Sequence, residues 1–292
     1  MLTLMPTYIE KLHYLNLDPT GISTRGNEPE HILSHPCVAV VGSRKPTPYG
    51  VETTERLVEA LVRAGVVIIS GLAFGIDSVA HRAALRAGSI TVAVLPSGID
   101  TIYPASHHQL ANEIVVDGLL MSEFALSHKP RKHDFLHRNR LIAGLSNAVI
   151  IPEAAERSGS LNTARHALEL NVPLFAVPGR LSDVMSQGTN QLVASGDAQA
   201  LTTVRAVVDR IGTKPATHST VKQLPLSLLD PLQLQVFEII EQEALPLSYI
   251  QAATALPAPQ LLAVLTNLEL LDLVQQDSSG SWHTRSSVMS PK

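Results

Sequence analysis

The chain has 292 residues, with 22 Lys and Arg against 26 Asp and Glu and a formal net charge of −4, which argues against a uniformly basic nucleic-acid binder. A lone cysteine excludes an internal disulfide and a Cys-rich metal framework and fits a reducing cytosol. With no charged-then-apolar leader and no apolar run of transmembrane length, the expectation is a soluble, cytoplasmic protein of one large domain plus a small one.

Residues 1–36 read as an N-terminal extension or connector. From residue 37 to 212 apolar strands alternate with helical patterns. Strands are expected at Val38–Val41, Val66–Ile69, Thr91–Leu95, Leu119–Met121, Ala148–Ile151, Leu174–Val177 and Ala200–Thr202. Helices are expected between them at Gly50–Ala64, Ile76–Ala87, Ser106–Val116, Phe135–Leu145, Ser160–Leu170 and Gln191–Ser195. Near-continuous apolar strands separated by amphipathic helices predict an α/β fold, a mostly parallel sheet covered on both faces. A polar, proline-containing linker (213–226) leads to a module at 227–286. It reads as helices Pro231–Gln242, Ser248–Ala253 and Ala258–Leu271, then a hairpin from Leu273 to His283, a winged-helix pattern followed by a tail at 287–292.

Three strand-to-helix turns carry glycine: Gly42-Ser43-Arg44-Lys45, Ser70-Gly71 to Gly75, and Ser158-Gly159-Ser160 to Thr163. Such turns leave backbone N–H groups at the positive end of a helix, where an anion is favoured, and in open parallel sheets ligands gather at the strands' carboxyl ends. Arg44 can fork onto phosphate oxygens, although a solvated turn charge is the plain alternative. Ser70, Gly71 and Gly75 supply a hydroxyl and close backbone approach, or only a tight βα turn. Ser158, Gly159, Ser160 and Thr163 make a neutral cradle for phosphate or sugar. Asp77 and His81, one helical turn apart, read as a helix-start cap or dipole partner and its hydrogen-bonded neighbour, since two ligands without a third make no zinc site.

Charge is unevenly distributed. From Pro215 onward three Lys and Arg (Lys222, Arg285, Lys292) face seven Asp and Glu, which leaves residues 1–214 neutral, and inside that neutral body lies the basic stretch His128–Arg140. Lys129, Arg131 and Lys132 are expected on a loop; Arg138, Asn139 and Arg140 open a helix, and Phe135 lies between the basic groups. Cations with an aromatic platform are the composition that single-strand binding uses. Phe135 is a base platform or a core ring, and Arg138 contacts DNA or pairs with a carboxylate at the sheet end.

Several motifs together resemble the DNA-processing protein A (DprA/Smf) family: Gly42-Ser43-Arg44 with Tyr49-Gly50, Ser70 to Asp77 with His81, Val94-Leu95 with Gly98 to Pro104, Phe135 with Arg138 to Ser146, Ser158 to Ala164, and Ala176 to Gly179. The resemblance runs from about Tyr8 to Thr203, and the tail resembles the winged-helix-like domain of many members. The N-terminal helical, SAM-like domain of many relatives looks absent, leaving its connecting stretch from Tyr8 to Gly26. The resemblance implies an extended Rossmann-like homodimer that binds single-stranded DNA without a cofactor and delivers it to the RecA recombinase in natural transformation. It places self-association and the RecA contact near Asn190, Gln191, Leu192 and Val193, a pattern that a core helix explains equally well.

An enzyme is the competing class. Lysine-decarboxylase-like (LOG) phosphoribohydrolases carry Pro-Gly-Gly-x-Gly-Thr-x-x-Glu at the third turn, and aligning Thr163 with that threonine puts His166 where the carboxylate belongs. A dinucleotide oxidoreductase lacks its Gly-x-Gly-x-x-Gly at the first turn. A binding protein is therefore expected. The C-terminal module is acidic (Glu238, Glu241, Glu243, Glu269, Asp272, Asp277), which suits a protein-interaction or regulatory role over duplex binding. Trp282 is expected to pack in the wing and Cys37 in a buried strand.

Overall fold

The computed structural model describes residues 7–15, 17–212, 231–242, 245–254, 256–270, 273–276 and 280–284. The chain divides into two units, Met1–Val221 and Lys222–Lys292; the expected linker at 213–226 and tail at 287–292 lie outside the described residues.

The first unit opens with helix α1 (Tyr8–Tyr14), strand β1 (Ser23–Gly26) and helix α2 (Pro29–Leu33). Strand and helix then alternate: β2 (Cys37–Val40), α3 (Pro48–Arg63), β3 (Val67–Ser70), α4 (Ile76–Arg86), β4 (Thr91–Val94) and α5 (His108–Asp117). They continue with β5 (Leu119–Ser122), α6 (Lys132–Leu145), β6 (Ala148–Ile151), α7 (Ser160–Glu169), β7 (Leu174–Ala176), α8 (Gln187–Ala194), β8 (Gln199–Ala200) and α9 (Val204–Ile211). The sheet order is β1-β5-β4-β3-β2-β6-β7-β8, with β1 antiparallel to β5 and the other neighbours parallel. From β2 the chain winds outward to β5, then returns to place β6 on the other side of β2. The order thus reverses between β2 and β6, the position where open α/β sheets hold ligands.

Successive strand residues point to opposite faces, so each face receives its own helices. Cys37, Ala39, Ile69, Val92 and Val149 pack under α1, α2, α6 and α7. Val38, Val40, Ile68, Ala148 and Ile150 pack under α3, α4 and α9. A third cluster seats α5 on Ala93 and Leu120. The result is the doubly wound parallel α/β sheet that the pattern predicts. Val41, Leu95 and Val177, expected as strand ends, still donate to the neighbouring strand just past the ladders (Val177 N to Ile151 O, 3.0 Å).

The N-terminal connector is built into this unit. α1 packs against α6, Leu12 is fully buried, and Lys11 Nζ donates to Leu145 O at 3.0 Å. β1 adds an antiparallel edge whose residues Ser-Thr-Arg-Gly are mostly exposed; with no apolar side chain of its own to bury, it shows no hydrophobic alternation in the sequence. Helix α6 begins at Lys132, three residues before the expected start, and α8 at Gln187.

In the second unit, α10 (Pro231–Gln242), α11 (Leu247–Thr254) and α12 (Ala258–Leu270) accompany a sheet ordered β10 (Val274–Gln276), β11 (Ser281–Thr284), β9 (Leu245–Pro246). Val236, Phe237, Ile240, Ile250, Leu265 and Trp282 form its core. This is the three-helix, winged arrangement expected, with β9 as an added strand too short to carry a pattern.

Leu12→Ala is expected to destabilise the first unit by about 2–5 kcal/mol through the cavity beside α6. A urea midpoint shift equivalent to less than about 0.5 kcal/mol would show that α1 is not part of the core.

Candidate nucleic-acid interface

The parallel register of β2 with β3 and with β6 brings all three glycine turns to one edge. The first two are occupied by the protein itself. Asp77, buried at the start of α4, accepts the Gly71 N–H at 3.1 Å and further N–H groups from Ala73 and Gly42. Its carboxylate is thus the anion of both turns, and not a cap of its own helix. Arg138 is 3% exposed and donates Nη1–H to Gly71 O at 2.8 Å and to Val94 O. Burial pushes the Asp77 carboxyl up and the Arg138 guanidinium down to about 10, and each favours the charged form of the other.

Expectations of DNA contact change accordingly. Ser70 is fully buried and its hydroxyl donates to Val40 O at 2.6 Å. Gly75 adopts φ +78°, and a Cβ there would lie 2.2 Å from Ser43 O; this glycine is required by the crossing of two loops. Ser70, Gly71 and Gly75 hold the edge together instead of facing a ligand, and Arg138 ties the edge from a position in the cleft wall. Arg140 pairs with Glu123 and lies 3.1 Å from His137 Nε2, because burial of the Glu123 carboxyl demands a cation. Asn139 donates to Gly159 O at 3.4 Å and so braces the third turn.

Glu153 went unassigned in the sequence. Buried after β6, its carboxylate accepts from Thr47 N (3.1 Å) and Thr47 Oγ1, and its carbonyl from Ser43 N (2.8 Å). It secures the loop from Ser43 to Thr47, and Thr47 in turn caps α3.

What remains open is a cleft of about 810 Å³ between the first turn, the start of α6 and the third turn. Arg44, Lys45, Lys132 and Arg157 line it, all exposed and none in an ion pair among the described residues. Phe135 is half-buried with the Arg44 guanidinium carbon 4.9 Å from its ring centroid and Tyr103 edge-on at 5.5 Å. Gly42, Ser43, Ser158, Gly159, Ser160 and Thr163 also line it, beside Asp77, Arg138 and Asn139. Lys129 and Arg131 are exposed but do not line it. Tyr103 and Arg157 were not singled out from the sequence, since one lone aromatic or cation in a loop carries no pattern.

A family model described as DNA recombination-mediator protein A matches residues 1–212, and one for the DprA winged helix domain matches residues 221–280. The chain belongs to the DNA recombination-mediator protein A family. It is 34% identical to protein Smf of Synechocystis, over 86% of this chain and 70% of that one. It is 37% identical to protein Smf of Escherichia coli K12, over 82% of this chain and 66% of that one. Among solved structures, DNA processing protein A from Helicobacter pylori, described for its single-stranded DNA binding mode, aligns with 36% identity and a TM-score of 0.63, over 71% of this chain and 94% of that one.

In this member of the family α8 is tied into the unit. Asn190 bonds both Gly179 N (3.0 Å) and Gly179 O (3.2 Å), Leu192 and Val193 pack on the core, and Gln191 alone of these four is exposed. Among the described residues no group of three His, Cys, Asp or Glu side chains is placed to hold a metal, and no helix is long and apolar enough to cross a membrane.

His81 is not a partner of Asp77. Its Nδ1–H donates to Thr91 Oγ1 at 2.8 Å, since that hydroxyl spends its own proton on Ile68 O, and its Nε2 is buried without a partner among the described residues. Burial, reinforced by His107 and Arg138, pushes its pKa down to about 3. Unfolded histidine binds a proton near pH 6.5, so between about pH 6.5 and 3 the unfolded chain holds the extra proton and stability falls as pH falls. The urea midpoint is expected to drop on acidification from about pH 7 to 5, at up to ~1.4 kcal/mol per pH unit for this one group, and His81→Gln is expected to flatten that slope. Parallel curves for the two proteins would assign the loss to other residues.

Proposed function

We propose that the protein binds single-stranded DNA in this cleft and acts as a recombination mediator, protecting the strand and loading the RecA recombinase onto it in homologous recombination and natural transformation. The observation that carries the reading is the set of unpaired cations, Arg44, Lys45, Lys132 and Arg157, around the Phe135 ring. Cations neutralise phosphates irrespective of sequence, and a stacked base adds about 1–3 kcal/mol. The single-stranded DNA binding mode described for the Helicobacter pylori relative supports the same ligand. Outside the cleft wall, Lys129 and Arg131 extend the basic surface along the strand's path. Homodimerisation would double the contacts and raise apparent affinity through effective concentration, with α8 and Gln191 on the associating or RecA-facing side. A strand delivered to RecA places the protein in the cytoplasm.

Binding is favoured over catalysis by the carboxylates. Among the described residues lining the cleft the sole carboxylate is Asp77, already engaged by three N–H groups. His166, the residue at the hydrolase position, pairs with Glu169 at 3.0 Å and is not part of the wall. The acidic winged-helix unit serves a protein partner in this reading.

Arg44→Glu with Lys132→Glu is expected to weaken binding of a labelled oligonucleotide about tenfold per lost contact and to make the log–log salt slope shallower by roughly 1.4. Fluorescence anisotropy across a salt series checks this, and unchanged affinity and slope would remove the cleft from the DNA path. Deletion of residues 222–292 is expected to leave single-strand affinity within about twofold, because an acidic unit adds no phosphate contacts.

A further inference from the structure

Of the three glycine turns, two are filled by the protein's own carboxylates, Asp77 and Glu153, and one is not. Helix α7 starts at Ser160 with Gly159 as its cap, so the cap residue offers no side chain, and the Ser160 N–H reaches only Ser158 Oγ at 3.4 Å. Thr163, one turn in, is 1% exposed yet lines the cleft. Buried helical hydroxyls elsewhere in this unit bond back to a carbonyl four residues earlier, as Thr54 does to Gly50 O at 2.6 Å and Ser146 to Ile142 O at 2.8 Å. Thr163 makes no such bond, and its hydroxyl has no hydrogen-bond partner among the described residues. That hydroxyl reaches the cleft and is left to bond whatever enters it.

Gly159 points the same way. Its φ of −62° and ψ of −21° suit any residue, and an added Cβ would meet nothing within 4 Å. The fold therefore does not require glycine here, in contrast to Gly75. The missing side chain keeps the Gly159 N–H, which has no partner among the described residues, approachable from the cleft. Ser158 and Ser160 share one contact of 2.8 Å, so at least one of their two protons is free to donate outward. Arg157 stands beside them, exposed and without an ion-pair partner among the described residues.

We propose that the Ser158–Thr163 turn is a subsite for a terminal phosphate monoester, the end of the strand that the cleft binds. This rests on the strand-binding reading. Thr163 is recessed, so a group that reaches it enters head-on, whereas an internal phosphodiester must leave room for chain on both sides. A monoester also presents three terminal oxygens and nearly two negative charges, which matches a surplus of donors and a free guanidinium. An internal diester offers two such oxygens and one charge.

The test is anisotropy of the full chain with labelled hexanucleotides bearing a 5′-phosphate, a 3′-phosphate, or hydroxyls at both ends. One phosphorylated end is expected to bind about tenfold tighter than the hydroxyl end. In Thr163→Val and in Gly159→Ala that ratio is expected to fall to about one, with melting temperatures close to the parent because neither change breaks an internal bond. Equal affinity for all three ends in the parent, with tight single-strand binding retained, would overturn the subsite and leave the strand-binding reading standing. A preference that survives both substitutions would overturn it as well, since the phosphate would lie elsewhere. Failure to bind any of the oligonucleotides would overturn the strand-binding reading itself.

Discussion

Asp77 is a buried carboxylate shared by two loops, and the shape of the cleft follows from its position. It gathers N–H groups from the turn after β2 and the turn after β3, so neither loop can move without uncovering a charge. Arg138, within its electrostatic reach, binds the carbonyls of Gly71 and Val94 and thereby anchors α6 across the ends of β3 and β4. Phe135 and Lys132 ride on that same helix. The aromatic ring and the free lysine reach the cleft because a buried arginine one turn along fixes where α6 lies.

The edge thus sorts its charges into two populations. Arg138 and Arg140 are paired with carboxylates or carbonyls and are structural. Arg44, Lys45, Lys132 and Arg157 are exposed and unpaired, and they surround the opening. All six belong to one residue class, and in a chain of net charge −4 the unpaired ones supply the positive field. The same division applies to anion sites. A helix start that finds an internal carboxylate is saturated; at α7, where none is found, Ser160, Leu161 and Asn162 donate weakly to Ser158 and Gly159 and the Gly159 N–H keeps no partner among the described residues.

How much of this was legible depended on how local the cause was. The parallel sheet was legible because Val38–Val41, Val66–Ile69 and Ala148–Ile151 are apolar on both faces, a pattern that follows from burial between two helix layers. β1 was not, because an exposed edge strand whose Ser-Thr-Arg-Gly residues pair through the backbone with β5 needs no hydrophobic alternation. Arg44 and the third turn were found from composition. The internal partners of Ser70 and Arg140, and the choice between the two readings of Arg138, were not legible because the partner, here Val40, Glu123 or Val94, lies 17 to 44 residues away in sequence.

By itself the sequence determined the fold class, the winged-helix unit, the three glycine turns and the basic stretch, since each depends on residue type at short spacing. The tertiary structure decided which turns are already filled, which cations are free, and that Tyr103 and Arg157 join the cleft. Those outcomes depend on which carboxylates the packing of β2, β3 and β6 brings to the edge, and no local pattern carries that information.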